Sequence, residues 1–204
     1  NTGTTSLTIS NVTSSNSVFT ATPLLGTIAP GASQKFYITF SPIVDGLQAG
    51  LIIFTDDAAK PRDTIFVTGT GISPQFSSSV QSIDFGNVRI GTSRVETISV
   101  TNTGTDNLII SGATSSNGVF GVTPLTGTIA PGATQLFFIS FSPTANGSQS
   151  GTITFHHNAS NATDIINVTG TGVSPMFVAS VQRLDFGNVG VGASKSLTVV
   201  VTNA

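Results

Sequence analysis

The stretch Leu136-Phe-Phe-Ile-Ser-Phe-Ser-Pro143 carries apolar side chains at every second position. Successive side chains of an extended strand point to opposite faces, so this spacing predicts a β-strand with one buried face. The buried set is Phe137, Ile139 and Phe141, with Phe138 and Ser140 on the other face. Ser142-Pro143 then forms a turn signal, and the strand is expected to end there.

The same short alternation recurs in four further runs: Arg94–Asn102, Asn107–Ser111, Thr152–Phe155 and Asp164–Thr169. Turn-forming clusters separate the runs, among them Asn102-Thr-Gly-Thr-Asp106, Ala130-Pro-Gly132 and Ala145-Asn-Gly147. No stretch of helical length keeps a helical period. Short strands at a spacing of roughly 8–12 residues predict an all-β fold, an antiparallel immunoglobulin-like β-sandwich of about seven strands.

The whole chain is an internal repeat. Residues 1–103 align with residues 102–204 without a gap, at a constant offset of 101 residues, and roughly 60 of the 103 pairs are identical. Examples are Asn1-Thr-Gly-Thr4 with Asn102-Thr-Gly-Thr105, and Asp84-Phe-Gly-Asn-Val88 with Asp185-Phe-Gly-Asn-Val189. A unit of about 100 residues has the size of one sandwich, so we expect tandem modules arranged like beads on a string.

Gly69-Thr-Gly71 and Gly170-Thr-Gly172, each followed by Ser-Pro, mark the expected module boundaries. They predict three parts: residues 1–72, a module that lacks its first strands; residues 73–172, a complete module; and residues 173–204, the first strands of a further module. We expect the two glycine stretches to be linkers at strand ends. A phosphate-binding loop is not expected, because no helix follows to present its amides.

The composition excludes several classes of function. Charged residues make up 8% of the 204 residues and the net charge is −2, so nucleic-acid binding is not expected. No apolar run approaches the ~18 residues of a membrane span. The chain has no cysteine, which removes disulfides and thiol chemistry, and its two histidines leave few groups for catalysis. We therefore expect no enzyme activity and no cofactor.

Five motifs in fixed order resemble those of the bacterial choice-of-anchor D repeats and of the Hydin and abnormal-spindle-type immunoglobulin-like domains. They are Asp84-Phe-Gly-Asn-Val-Arg-Ile-Gly91, Thr101-Asn-Thr-Gly104, Ala130-Pro-Gly132, Phe141-Ser-Pro143 and Gly170-Thr-Gly172. The resemblance covers both copies. It implies tandem extracellular or cytoskeletal immunoglobulin-like modules without catalysis, and it assigns no partner and no site residue.

Candidate chemical groups have structural interpretations. His156 and His157 are adjacent on a strand and point to opposite faces, so no metal site is expected there. The aspartates shared by both copies are expected to accept hydrogen bonds in turns rather than to form a catalytic pair: Asp63, Asp84, Asp164 and Asp185. Tyr37 and its counterpart Phe138 are either ordinary surface residues or contacts with a neighbouring chain.

The incomplete ends predict an assembly. The last segment carries apolar side chains on the strands that residues 1–72 lack, namely Leu184, Phe186, Val189, Leu197, Val199 and Val201. We expect these six residues to complete the first module of a neighbouring unit, either by strand exchange between subunits or as adjacent repeats of one longer chain. A head-to-tail contact of this kind does not close and forms a filament.

The expected function is therefore that of an extracellular structural fibre or stalk whose main partner is another copy of itself. Two alternatives remain open. One is a cell-surface adhesin or carbohydrate-binding module that recognises surface glycans through loops at one end of each sandwich. The loops at Asp56–Arg62 and His156–Thr163 do differ between the copies. The other is a non-catalytic domain of a secreted enzyme.

Overall fold

The computed structural model describes residues 1–203. All regular elements in that range are β-strands, which confirms the predicted all-β class. Within residues 1–203 there is no helix long and apolar enough to cross a membrane. The chain divides into two compact units. One consists of Asn1–Phe76, Asn102–Leu108 and Ile129–Ala133, and the other of Ser77–Thr101, Ile109–Thr128 and the residues from Thr134 onward.

Residues 1–71, called the first copy below, form six strands in two sheets. The strands are β1 (Leu7–Ser14), β2 (Phe19–Thr22), β3 (Gly26–Ile28), β4 (Tyr37–Phe40), β5 (Gly46–Asp56) and β6 (Arg62–Gly71). One sheet has the order β3-β1-β5-β6, and the other consists of β2 and β4. In this arrangement β6 and β4 each have a paired neighbour on one side only.

Residues 73–173, the second copy, form nine strands. They are β7 (Phe76–Ser78), β8 (Ser82–Arg89), β9 (Arg94–Asn102), β10 (Leu108–Ser115), β11 (Phe120–Thr123), β12 (Gly127–Ile129), β13 (Thr134–Phe141), β14 (Gly147–His157) and β15 (Thr163–Val173). The sheet orders are β12-β10-β14-β15-β8 and β11-β13-β9-β7. The number exceeds the predicted seven because β7 and β12 have three residues each, too few to show an alternation.

The strand pairing differs from the prediction in one respect. Strand β8 pairs with β15 in parallel, from Asn167 opposite Ser82 to Val173 opposite Arg89, within an otherwise antiparallel sheet. Alternation of apolar residues is the same in parallel and antiparallel edge strands, so the sequence pattern does not distinguish them. Strand β9 pairs antiparallel with β13, as expected.

The glycine-rich stretches are not linkers, contrary to the prediction. Gly170 and Gly172 lie inside β15, where they pair with Gln149 and Gly147. A Cβ atom at Gly170 would lie 2.5 Å from the Phe141 ring, so only glycine fits beside that core phenylalanine. The glycines therefore extend the last strand and admit an aromatic ring, a role that local turn statistics do not reveal.

The core of the second copy follows the predicted faces. Its buried apolar side chains include Phe85, Val88, Ile98, Val100, Leu108, Ile110, Phe120, Phe137, Ile139, Phe141, Ile153, Phe155, Ile166 and Val168. The core of the first copy is smaller and consists of Ile9, Val12, Val18, Phe19 and Ile52, with partly buried neighbours such as Phe36, Phe40, Phe54 and Val67. Matched residues are therefore buried to different degrees in the two copies.

Asn102, the first residue of the Asn102-Thr-Gly104 motif, has a buried polar side chain. Its side-chain amide donates to the carbonyl oxygens of Asp106 at 2.7 Å and Ile129 at 2.9 Å. Its side-chain oxygen accepts from the backbone N–H groups of Gln75 and Gly104 at 3.2 and 3.0 Å. One side chain thus satisfies four backbone groups: two in the turn that follows it, one at the end of β12 and one directly before β7.

Replacing Asn102 by alanine is expected to destabilise the chain by at least about 2 kcal/mol, because a buried polar group without a partner costs ~1–3 kcal/mol. Denaturant unfolding of both proteins measures the difference. Thr101→Ala is the matched control, since the Thr101 hydroxyl makes an exposed bond to Thr134, and it is expected to change stability by less than about 0.5 kcal/mol. Equal effects of the two substitutions would contradict the role of Asn102.

Candidate assembly surface

Strands β8 and β9 close the sandwich of the second copy. Phe85 on β8 is fully buried, and its ring centroid lies 5.9 Å from that of Phe120 and 5.7 Å from that of Phe141. Phe120 and Phe141 are stacked 4.8 Å apart at an interplanar angle of 20°. The three rings form an aromatic cluster that is complete only when β8 is paired with β15.

The first copy contains the same aromatic pair without a third ring from a β8 counterpart. Phe19 and Phe40 are stacked 4.8 Å apart at 23°, nearly the geometry of Phe120 and Phe141. Residues 1–71 contain no counterpart of β7, β8 or β9. Phe40 is consequently partly exposed, whereas its match Phe141 is fully buried.

The face that β8 and β9 cover in the second copy is apolar and exposed in the first copy. Ile65 on β6 is 50% exposed, while its match Ile166 is 1% exposed. Ile38 on β4 is 38% exposed, while its match Ile139 is 0% exposed. We call this face, formed by the open sides of β4 and β6, the acceptor face.

Residues 174–203, the C-terminal segment, contain strands β16 (Phe177–Ala179) and β17 (Val201–Asn203), which pair with each other. All six residues predicted for assembly lie in this segment: Leu184, Phe186, Val189, Leu197, Val199 and Val201. Their exposed fractions are 39%, 42%, 40%, 38%, 37% and 55%. Four of their six matches, Phe85, Val88, Ile98 and Val100, are buried at 0–6%, and the other two, Ile83 and Glu96, are half-buried. Whether the six residues complete another unit stays a prediction.

The C-terminal segment has the local shape of the strands that it matches. The backbone N–H of Ser180 donates to Val200 at 2.8 Å, as Ser79 does to Ser99 at 2.9 Å. The Lys195 ammonium donates to the Phe186 carbonyl at 3.2 Å, where the Arg94 guanidinium donates to the Phe85 carbonyl at 2.9 Å. The segment therefore repeats two hydrogen bonds of the matched strands, while residues 180–200 form no strand of their own.

The histidine pair has a structural explanation. His156 is exposed and His157 is buried, which confirms that the two rings point to opposite faces. Nε2 of His157 lies 3.0 Å from the Asp164 carboxylate, and its Nδ1 accepts from the backbone N–H of Ala159 at 3.2 Å. Within residues 1–203 no three His, Cys, Asp or Glu side chains are grouped to hold a metal ion.

Three of the four shared aspartates, Asp84, Asp164 and Asp185, bind local donors. Asp84 and Asp185 accept from the N–H groups of Gly86 and Gly187 at 2.9 and 2.8 Å, as predicted for that turn. Asp164 instead accepts from side chains, those of His157 and Asn161, rather than from turn amides.

Asp57 accepts a hydrogen bond from the Thr8 backbone at 2.8 Å, which holds the pKa of its carboxyl below the usual range. Its match Asn158 accepts the equivalent bond from Ile109 without a charge.

The sequence analysis proposed the six side chains of the C-terminal segment but did not single out Ile38, Ile65 and Phe19 on the acceptor face. The repeat does mark these positions, because Ile38, Ile65 and Phe19 match Ile139, Ile166 and Phe120, respectively, at the offset of 101 residues. What the sequence lacks is the strand pairing. In the second copy β8 lies beside β15, which carries Ile166, and β9 lies beside β13, which carries Ile139.

A family model described as HYDIN/CFA65/VesB-like, Ig-like domain matches residues 1–70 and again residues 74–171. The chain belongs to this family. The match confirms the resemblance to Hydin-type immunoglobulin-like domains that the five motifs indicated, in both copies of this HYDIN/CFA65/VesB-like chain.

Curated relatives of this HYDIN/CFA65/VesB-like chain include much longer proteins. Cilia- and flagella-associated protein 65 of Chlamydomonas reinhardtii is 29% identical over 196 residues, which are 91% of this chain and 9% of that protein. The Hydrocephalus-inducing protein homolog of Homo sapiens is 27% identical over 191 residues, 92% of this chain and 4% of that protein. The chain thus spans less than a tenth of the length of either relative.

Among solved structures, a protein of unknown function from Porphyromonas gingivalis W83 has a TM-score of 0.45 at 16% identity, covering 84% of this chain and 87% of that one. The ASH / PapD-like domain 7 of human CEP192 has a TM-score of 0.45 at 15% identity, covering 50% of this chain and 87% of that one.

Proposed function

We propose that this chain is a non-catalytic structural unit of an extracellular filament, fibre or stalk. Its units join head to tail, and the C-terminal segment of one unit covers the acceptor face of the next. The observation that supports this most strongly is the contrast between matched positions. Ile65 and Ile38 are exposed where Ile166 and Ile139 are fully covered by two strands whose sequence recurs in the C-terminal segment.

The geometry of such a contact favours a filament. The acceptor face and the C-terminal segment are different surfaces, so their contact is heterologous and leaves one of each free at the two ends of any oligomer. Addition of a strand to an open sheet edge supplies main-chain hydrogen bonds, and the apolar side chains supply burial. The same contacts between adjacent repeats of one longer polypeptide would produce a stalk.

The oligomeric state of the 204-residue chain tests the proposal. Light scattering over a concentration series is expected to show a mass that rises from 20.7 kDa to multiples of that value, and electron microscopy is expected to show unbranched fibres one sandwich wide. A particle that stays at 20.7 kDa at ~1 mM, with the amides of β4 and β6 protected from hydrogen exchange, would overturn it.

The extracellular location rests on the resemblance to bacterial choice-of-anchor D repeats. A second candidate location is a cilium or flagellum, which the 29% identity to Cilia- and flagella-associated protein 65 over most of this chain favours. Protease added to intact cells distinguishes the two. An extracellular unit is expected to be cleaved, whereas a unit inside a cilium is expected to be cleaved only after the membrane is opened.

A further inference from the structure

We propose that Asn146 is a site of spontaneous deamidation, a modification that converts its side-chain amide to a carboxylate. The sequence contains two Asn-Gly pairs, Asn117-Gly118 and Asn146-Gly147. The folded structure protects the first pair and leaves the second open to reaction. The reaction requires water and no enzyme, so it does not depend on the proposed function.

Deamidation of an asparagine begins with attack by the backbone nitrogen of the next residue. At Asn146 the nitrogen of Gly147 attacks Cγ, the new N–Cγ bond closes a five-membered succinimide, and the Cγ–Nδ2 bond breaks. Nδ2 leaves as ammonia, because it takes up the proton that the Gly147 nitrogen loses. Water then adds to one of the two ring carbonyls and opens the ring to aspartate or isoaspartate. A following glycine favours the attack, since it has no Cβ atom and its backbone adopts many conformations.

The Asn117 side chain is held at both of its polar atoms. Its Nδ2 donates to the carbonyl oxygen of Ser150 at 3.0 Å, and its Oδ1 accepts from the backbone N–H of Val119 at 3.3 Å. The backbone N–H of Asn117 also donates to the Ser115 hydroxyl at 3.3 Å. Attack on Cγ makes this carbon tetrahedral and moves both polar atoms out of these positions. Since the turn is half-buried, the lost bonds are costly, and we expect the reaction at Asn117 to be slow.

The Asn146 side chain is exposed and is held at one atom only. Within residues 1–203 it makes one hydrogen bond, from Nδ2 to the Ser174 hydroxyl at 2.9 Å. At an exposed position water replaces such a bond at little cost. Gly147 has a φ of 107°, a conformation that favours glycine, and it is the first residue of β14. The Asn146 side chain therefore moves toward the Gly147 nitrogen without breaking a buried hydrogen bond.

The first copy shows that this turn accommodates an aspartate. Asp45 matches Asn146 at the repeat offset, and Ser73 matches Ser174. The Asp45 carboxylate accepts a hydrogen bond from the Ser73 hydroxyl at 2.9 Å. The Ser174 hydroxyl, which accepts from Asn146, is able to donate to an aspartate in the same way. Deamidation to aspartate therefore reverses the direction of one bond, and the formal net charge of −2 becomes one unit more negative.

The isoaspartate product is expected to fit less well. It places the side-chain methylene in the main chain and so lengthens the backbone before Gly147. Gly147 lies opposite Gly172 in the pairing of β14 with β15. A Cβ atom at Gly172 would collide with the carbonyl oxygen of Ala145, so the turn is packed closely against the end of β15. The longer backbone is therefore expected to loosen this end of the pair and to speed hydrogen exchange there.

The rates of deamidation at the two pairs test the proposal. The chain is incubated at mildly alkaline pH, folded in one sample and unfolded by denaturant in the other, and peptide mass spectrometry follows the amide-to-acid conversion at each asparagine. In denaturant both pairs are expected to react at similar rates, because neither keeps its hydrogen bonds. In the folded chain Asn146 is expected to react at least about tenfold faster than Asn117, its matched control in the same molecule.

Two variants complete the test. Asn146→Gln is expected to stop the reaction at this position and to keep the fold, since a glutamine has to close a six-membered ring. Asn146→Asp is expected to elute from an ion-exchange column with the aspartate form of the aged chain, and to unfold at nearly the same denaturant concentration as the original chain. A rate at Asn146 that is no higher than that at Asn117 in the folded chain, or conversion of Asn146 only in denaturant, would overturn the proposal.

Discussion

Replacing Phe85 by alanine is expected to lower the free energy of unfolding of the second copy by about 3–5 kcal/mol. The Phe85 ring is fully buried between two other phenylalanines, and its loss leaves a cavity that rigid neighbours do not refill. The loss is a large part of the ~5–15 kcal/mol that typically stabilises a domain. Denaturant unfolding combined with hydrogen exchange at β9, β13 and β15 measures it.

Phe186→Ala is the matched control, because the same substitution is made in the same five-residue sequence. The Phe186 ring is 42% exposed in the single chain, so in dilute solution the substitution is expected to change stability by less than about 0.5 kcal/mol. At concentrations where units associate, the effect is expected to grow toward that of Phe85→Ala. Equal destabilisation in dilute solution would mean that Phe186 is buried within one chain, contrary to the proposed assembly.

The sequence predicted those strands that have one buried face and one face exposed to solvent. Strand β9 extends over Arg94–Asn102 as the alternation indicated, and β13 contains the predicted buried trio Phe137, Ile139 and Phe141. Strand β15 is longer than predicted, because the buried positions at its end are Gly170 and Gly172 and the apolar alternation therefore stops at Val168. Those glycines are required by a distant ring, and a contact of that kind leaves no local periodicity.

The six residues predicted for assembly could be chosen from the sequence because the chain contains two versions of the same module. In the complete second copy Phe85 and Ile98 are buried. Their matches Phe186 and Val199 are therefore expected to fit the same kind of core in another module. The acceptor side was harder, because Ile38 and Ile65 look like ordinary strand residues in sequence. Whether they are covered depends on the neighbouring strand. The pairing of β8 with β15 shows this for the match of Ile65, and the pairing of β9 with β13 shows it for the match of Ile38.

A circular permutant in which residues 174–202 precede residues 1–173 is expected to be a stable monomer. Thr202 then joins Asn1 directly, as Thr101 joins Asn102 in the second copy, so the connection needs no linker. Both modules have all of their strands, and the acceptor face is covered within the same chain. Burial of each large apolar side chain contributes ~1.5–3 kcal/mol, and intramolecular closure avoids the ~4–15 kcal/mol entropy cost of association. The first copy is expected to gain several kcal/mol.

The control for the permutant is a chain of residues 1–173 alone, which keeps the acceptor face open and has no segment to donate. It is expected to remain monomeric, with the amides of β4 and β6 exchanging rapidly, whereas those amides are expected to be protected at least about a hundredfold more in the permutant. Hydrogen exchange measures the protection of these amides, and light scattering measures the oligomeric state.

A permutant that still forms oligomers, or whose β4 and β6 amides exchange as fast as in the control, would show that residues 174–202 do not fit the acceptor face. Because permutation changes the order of the segments and leaves the side chains of the fitted residues unaltered, such a result would rule out the fit itself.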